Sequence, residues 1–420
     1  MTIETLRFLS EEQVREIGRR FGTPVFVYDQ KTLEMRAKEV LAFPNLFGLT
    51  ARYAMKALPS AAVLRIFANA GLHIDASSGF EAERAIRAGI PADHIQLTAQ
   101  QLHEDFETLI NKGVNFNACS LHQLESYGKR FPGTEVCVRI NPGLGSGSTN
   151  RTNVGGPSSS FGIWHEKLDE VQRIAAQYNL RIGRMHTHIG SGSNPDIWVH
   201  CARLSLDIAA KLPEARILSL GGGYKVGRMQ YETSADLQSI GNKVLPEFAA
   251  FAQQHNRKLH LEVEPGTYLV ANAGALITTA MDMIDTGPTG YRFIKIDAGM
   301  TELLRPSLYG AQHPLISVAA DTTQRHGTSE YIVVGHCCES GDILTPEPGN
   351  SEGLQPRQLR ETTIGDLVVI EGTGAYSASM ASKNYNSFPE CAEVLVTNDG
   401  ELKLIRKRQT LDQILQNEIS

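Results

Sequence analysis

The chain has 420 residues, enough for two or three domains, one of which can be a large barrel. Apolar residues make up 41%, charged residues 20%, and the net charge is −6, a balance that argues against nucleic acid or an anionic membrane surface as partner. The six cysteines, Cys119, Cys137, Cys201, Cys337, Cys338 and Cys391, show no repeated spacing, so neither a disulfide framework nor a zinc site is expected. No signal peptide and no membrane span are read, which makes a cytoplasmic protein the expectation.

Residues 10–21 read as an amphipathic helix capped by Ser10, and 23–29 as a strand between Gly22 and Asp29. A regular alternation then begins. Strand-like runs fall at 51–56, 72–77, 95–99, 115–120, 135–141, 185–190, 216–220 and 259–264. Helical patterns lie between most of them, at 60–70, 80–88, 121–130, 166–178, 197–212 and 236–255. Eight such units predict an α/β fold, a parallel sheet closed into a (β/α)8 TIM-type barrel over residues 30–280. An open doubly wound sheet is the alternative. The long Gly- and Ser-rich connection 143–160 is a candidate lid.

Beyond residue 290 the rhythm changes to strands at 291–297, 331–334 and 366–371. A hairpin follows, 393–397 and 401–406 around Asn398-Asp399-Gly400, then a final helix over 410–417. A mostly β second domain is therefore expected from 281–420, together with 1–29.

Barrel enzymes carry their chemistry at the C-terminal ends of the strands. Those ends hold Lys56; Asp75 with Glu81 behind it; Arg139 and Asn141; His186, His188 and Ser191; Gly221, Gly222 and Gly223; and Glu262 and Glu264. A lysine at the end of a buried strand is costly unless used, and desolvation makes its amine a nucleophile able to form a Schiff base. A lysine that snorkels to solvent is the plainer alternative. The glycine run lets backbone N–H groups approach an anion, or simply makes a tight turn. His186 and His188 share a strand face, but no third metal ligand follows them at useful spacing. A Schiff-base lysine, a phosphate cradle, an aromatic ring for stacking and a carboxylate for a ring nitrogen are together the parts that pyridoxal 5'-phosphate needs.

Several motifs are specific: Tyr-Ala-Met-Lys at 53–56, His-Ile-Gly-Ser-Gly at 188–192, Gly-Gly-Gly-Tyr at 221–224 and Glu-Pro-Gly at 264–266. Asp-Ala-Gly-Met at 297–300, Arg-Pro-Ser-Leu-Tyr-Gly at 305–310, Cys-Glu-Ser-Gly-Asp at 338–342 and Gly-Ala-Tyr at 374–376 continue them. With these the chain resembles the alanine-racemase-like, fold type III pyridoxal-phosphate decarboxylases, and among them the diaminopimelate decarboxylases. The resemblance implies that Lys56 carries the cofactor, with Asp75 also at the cofactor site. His188 would stack on its ring, Ser191, Gly221, Gly222 and Gly223 would hold the phosphate, and Tyr376 would reach it. Glu264 would bind the pyridine nitrogen. Arg305, Tyr309 and Tyr376 would contact the substrate, with Arg305 and Tyr309 on its distal carboxylate, and Glu339 would take its distal amino group. Cys338 would enter the neighbouring subunit's site as proton donor, so a homodimer with composite sites is implied. A thiol suits that task because its ordinary ionisation lies within reach of neutrality.

The implied reaction is loss of carbon dioxide from meso-2,6-diaminopimelate, giving L-lysine. Two positions depart from the pattern. Thr267 follows Glu-Pro-Gly where the diaminopimelate enzymes usually carry an arginine, and Ser160 precedes Phe-Gly-Ile where a basic residue is usual. The alternative is thus a same-fold decarboxylase of another diamino or modified amino acid, of ornithine, lysine or arginine type. An amino acid racemase would pair the ring nitrogen with an arginine rather than Glu264. A non-catalytic cofactor carrier would lack the β region after 290.

Overall fold

Short apolar runs punctuated by turns become the staves of one closed sheet. The structure is a computed structural model and describes residues 3–144, 155–188, 192–322 and 327–419. Eight parallel strands, Leu49–Ala54, His73–Ala76, Ile95–Leu97, Asn115–Ala118, Glu135–Asn141, Arg181–His186, Ile217–Ser219 and His260–Val263, pair in chain order. The ring closes where Leu261 of the last strand lies opposite Leu49 of the first. This is the expected (β/α)8 barrel, and the open doubly wound sheet is excluded.

Helices follow the strands, among them Ala61–Ala70, Gly79–Arg87, Leu121–Arg130 and Leu237–His255. Two of them are started by a serine set just past a strand. Ser78 accepts from the Glu81 N–H and Ser120 from the Gln123 N–H, each satisfying a donor the first helical turn leaves open. Side chains from adjacent strands fill the barrel, and some of that filling is ionic. Arg52 on the first strand and Glu262 on the last meet at 3.0 Å with both side chains almost wholly buried, and Arg184 reaches the same carboxylate at 3.7 Å.

Two expectations need correction. The sixth strand is Arg181–His186, not 185–190: Arg181 and Arg184 break the apolar run that marks its start, so His188 lies beyond the strand. The first strand stops at Ala54, and Lys56 stands in a single 3-10 turn, Met55–Ala57, with its side chain exposed. Burial of the amine is therefore not what singles this lysine out. The suggested lid falls largely outside the described residues, but its two ends are clasped by Asn141. That side chain accepts from the N–H groups of Gly143 and Gly156 and donates to the Gly156 carbonyl.

By its contacts the chain forms two units, Glu34–Val226 with Thr233–Leu269, and Met1–Leu33 with Gly227–Glu232 and Val270–Ser420. The second is built on the twelve-residue strand Gly274–Asp285, which the sequence reading missed. Its first half is buried on both faces and so shows no alternation of apolar and polar residues. Val25–Asp29 lies antiparallel to it on one side and pairs parallel with Ala392–Val396 on the other. Leu367–Glu371 and Arg292–Ile296 also pair with the long strand. The anticipated hairpin joins Ala392–Val396 to Leu402–Arg406, with Gly400 at φ 85° in its turn. Val14 and Ile17 of helix Glu11–Phe21 pack on Val25, Val27, Ile277, Val369 and Val394, the apolar core of this sheet.

The barrel's internal ion pair yields a stability test. Glu262→Leu strands the Arg52 guanidinium and is expected to destabilise the protein by about 3–5 kcal/mol, while adding Arg52→Met restores most of the loss. Urea denaturation checks this; a double variant as unstable as the single one would show that pairing is not the cause.

Candidate active site

The site is assembled around a carboxylate that immediately follows the eighth strand. Glu264 is buried, yet every observed partner favours its ionised form. Gln96 and Ser219 donate to Oε1 at 3.2 and 3.0 Å, and His186 Nε2 donates to Oε2 at 2.8 Å. The Gln96 amide is turned this way because its oxygen accepts from Arg184 at 3.3 Å. Burial pushes the Glu264 carboxyl up, but the field and hydrogen bond of His186, with the hydrogen bond from Ser219, outweigh it and bring the pKa down to about 2.

Asp75, at the end of the second strand, has the opposite fate. Burial and the neighbouring charge of Glu264 hold it well above the usual carboxylate range, although Thr98 donates to it at 2.7 Å. The surroundings thus favour the ionised form of Glu264 and the protonated form of Asp75, two neighbouring carboxyls with affinities pushed apart. Lys56 is near enough that its ammonium acts on Asp75, Glu81 and His188 alike.

Two N–H groups of the glycine run are engaged within the protein. Gly221 donates to Ser219 Oγ at 3.2 Å and Gly222 donates to His188 Nδ1 at 3.2 Å. A Cβ on Gly222 would lie 2.1 Å from the Glu264 carbonyl oxygen, so this residue lets the seventh and eighth strand ends close together. Because His188 Nδ1 accepts, its ring is neutral on that side. Burial, then the cations Arg139 and Lys56, hold its pKa well below the usual histidine range. Gly192 donates to the Gly223 carbonyl at 2.9 Å, so the loop after the sixth strand adjoins this run. Trp198 stacks flat on Tyr224, with ring centroids 4.4 Å apart, and fixes the end of the run. Ser191 lies outside the described residues.

The second unit gathers another set. Arg305 and Tyr309 share the short helix Arg305–Tyr309, with the guanidinium 5.7 Å from the Tyr309 ring centroid. Burial lowers the pKa of Arg305, while the phenols of Tyr309 and Tyr376 and the carboxylate of Glu232 act to raise it. Tyr376 has φ 55°, a strained backbone for a residue with a side chain. Cys338 and Glu339 are exposed on a loop tied by three bonds: the Cys338 N–H donates to Asn386 at 2.8 Å, and Asp342 accepts from the N–H groups of Met300 and Cys337.

Within the barrel the structure brings together Lys56, Asp75, His188, Gly221, Gly222, Gly223 and Glu264. In the second unit it brings together Arg305, Tyr309 and Tyr376. The sequence reading did not pick out Gln96, Thr98 or Ser219. Gln96 left one signal, a lone amide within the apolar strand Ile-Gln-Leu. Among the described residues no group of three His, Cys, Asp or Glu is placed to hold a metal ion.

The donor set suits pyridoxal phosphate: a primary amine at one strand end, an ionised carboxylate for a ring nitrogen and a neutral imidazole to stack. Two buried nitrogens in the same region, Arg139 Nη2 and His186 Nδ1, have no partner among the described residues and can meet a polar ligand. Fold and site together define a barrel enzyme of the pyridoxal-dependent class. The chain matches the family described as pyridoxal-dependent decarboxylase, pyridoxal binding domain, over residues 33–271, and it belongs to that family. It is 33% identical to a diaminopimelate decarboxylase of Escherichia coli K12 over 422 residues, covering 98% of this chain and 97% of the relative. A crystal structure of diaminopimelate decarboxylase superposes with a TM-score of 0.90 at 33% identity, covering 97% of this chain and 96% of that one. The Helicobacter pylori diaminopimelate decarboxylase complexed with L-lysine superposes at 0.84 and 26% identity, covering 96% and 98%.

The tuning of Glu264 predicts a pH effect. Its pKa is depressed in the folded state, so its contribution to stability is fully present above about pH 4.5 and is lost as pH falls through about 2. His186→Leu removes the largest counterweight to burial, and the loss should then begin at higher pH. The acid-unfolding midpoint followed by circular dichroism checks this; an unmoved midpoint would mean His186 does not hold the charge.

Proposed function

We propose that the chain decarboxylates meso-2,6-diaminopimelate to L-lysine in lysine biosynthesis, acting in the cytoplasm as a homodimer. The observation that carries the reaction type is the buried Glu264, kept ionised by His186, Ser219 and Gln96. Pyridoxal phosphate, when bound, supplies an electron sink for the carbon that loses its carboxylate. An anion at its ring nitrogen keeps that nitrogen protonated, which is what a decarboxylase needs. The substrate is supported by the likeness to the E. coli relative across nearly the whole chain, and by the H. pylori structure whose complex contains L-lysine.

Each residue then has one task. Lys56 Nζ, exposed at the end of the first strand, attaches the cofactor. The neutral ring of His188 stacks on it, and Ser191 and the Gly223 N–H hold its phosphate with Tyr376. The Gly221 and Gly222 N–H groups are already engaged by Ser219 and His188, so they serve the cradle by shaping it. Asp75 sits beside the cofactor, its affinity for a proton raised by burial and by the charge of Glu264. Arg305 and Tyr309 read the carboxylate at the substrate's far end, and Glu339 its amino group. Cys338 delivers a proton to the α-carbon in the partner's site, a role that suits its exposed loop.

Incubation of purified protein with meso-diaminopimelate should release carbon dioxide and L-lysine. Release from ornithine, lysine or arginine instead would move the chain to another decarboxylase specificity. Lys56→Ala should abolish both turnover and the visible absorbance of the attached cofactor, and an unchanged spectrum would overturn the scheme. Cys338→Ala should slow turnover about 10²–10⁴-fold, the usual worth of a positioned proton donor, with cofactor content unchanged.

A further inference from the structure

Buried polar atoms without a partner gather around Arg228 in the second unit. Arg228 is only 7% exposed; its Nε donates to the Gly372 carbonyl at 3.0 Å, but Nη2 has no partner among the described residues. The same holds for Nε of Arg305 and for Nε2 of the buried His313. Geometry makes these groups neighbours: His313 Nδ1 donates to the Glu371 carbonyl at 3.0 Å, one residue from the Gly372 carbonyl that Arg228 holds. Apart from burial, the charge of Arg305 acts most strongly on Arg228, and both guanidiniums act on His313. Arg7 adds a third cation, with Nη2 donating to the Arg228 carbonyl.

The negative charge opposite comes from two carboxylates against three guanidiniums: Glu371, whose Oε1 accepts from the Arg7 N–H at 3.1 Å, and Glu232. Glu232 acts on both Arg228 and Arg305, yet one of its oxygens is held by the N–H groups of Arg228 and Met229 at 2.8 and 3.1 Å. Desolvated guanidiniums in excess of carboxylates are unfavourable unless an anion completes them, and a forked carboxylate fits such a pair. Packing keeps Arg228 in position: a Cβ on Gly372 would come within 3.1 Å of its Cγ.

We propose that Arg228 is a specificity-determining residue, forming with Arg305 the seat for the carboxylate at the non-reacting end of the substrate. This rests on the decarboxylase reading above. The cofactor's phosphate is the other anion with suitable chemistry, and the two sources can be told apart.

The holoenzyme, Arg228→Met and Arg228→Lys should be titrated calorimetrically with L-lysine, which keeps that carboxylate, and with cadaverine, which lacks it. Cofactor content is read from the absorption spectrum. Loss of a charge-assisted contact predicts roughly ten- to hundredfold weaker L-lysine binding in Arg228→Met, partial recovery in Arg228→Lys, and unchanged cadaverine binding and cofactor content. Equal losses for both ligands would mark Arg228 as a purely structural residue. Loss of cofactor with L-lysine affinity retained would give the seat to phosphate, and undiminished L-lysine binding in Arg228→Met would also overturn the proposal. A wild-type enzyme that neither binds L-lysine nor releases carbon dioxide from meso-diaminopimelate would sink the functional reading itself.

Discussion

The barrel depends on keeping one carboxylate charged where charge is expensive. An isolated anion in an apolar interior would take up a proton, and Glu264 is prevented from doing so by three donors on three different strands or strand ends. The constraint spreads outward. Gln96 presents its amide nitrogen because Arg184 holds its oxygen, and Arg184 in turn leans on Glu262, which pairs with Arg52. Glu262 and Glu264, two residues apart, anchor both ends of this chain of contacts. A connected set of buried polar side chains from five barrel strands is therefore tied to one oxygen pair.

The fold was largely legible because its signal is repetitive. Eight short runs at similar spacing leave few topologies, and the positions of the strand ends named most of the barrel site. Legibility failed where polarity or burial hid the pattern. Arg181 and Arg184 disguised the start of the sixth strand, and Gly274–Asp285, buried on both faces in its first half, had no alternation to display. Lys56 was singled out for a reason the structure does not support, since its amine is exposed; its importance lies in its neighbours Asp75, Glu81 and His188. Gln96 and Ser219 stayed hidden because a single amide or hydroxyl on a three-residue strand carries no periodic signal. Arg228 stayed hidden because only three-dimensional packing shows that its charge is unmatched.

Two different solutions to the cost of buried charge thus coexist. In the barrel the anion is satisfied internally, by donors that leave it ionised. In the second unit the cations outnumber their carboxylates, an arrangement suited to a ligand that brings the missing charge. Thr267, a hydroxyl where an arginine is usual, makes no forked ion pair, so discrimination at the substrate's far end falls to other residues.

The parallel pairing of Val25–Asp29 with Ala392–Val396 has a consequence for biogenesis. A ribosome releases the first of these strands some 360 residues before the second exists, as the numbering of the pairs requires. All five residues of the early strand are buried in the finished sheet, so the nascent chain carries an apolar segment with its hydrogen-bonding edge unfilled throughout synthesis of the barrel. The barrel's strands pair in chain order and can close as they emerge, whereas the other sheet must wait for its last stretch. Translation pace near the end of the message, and chaperones that shield an exposed edge, thereby become determinants of yield.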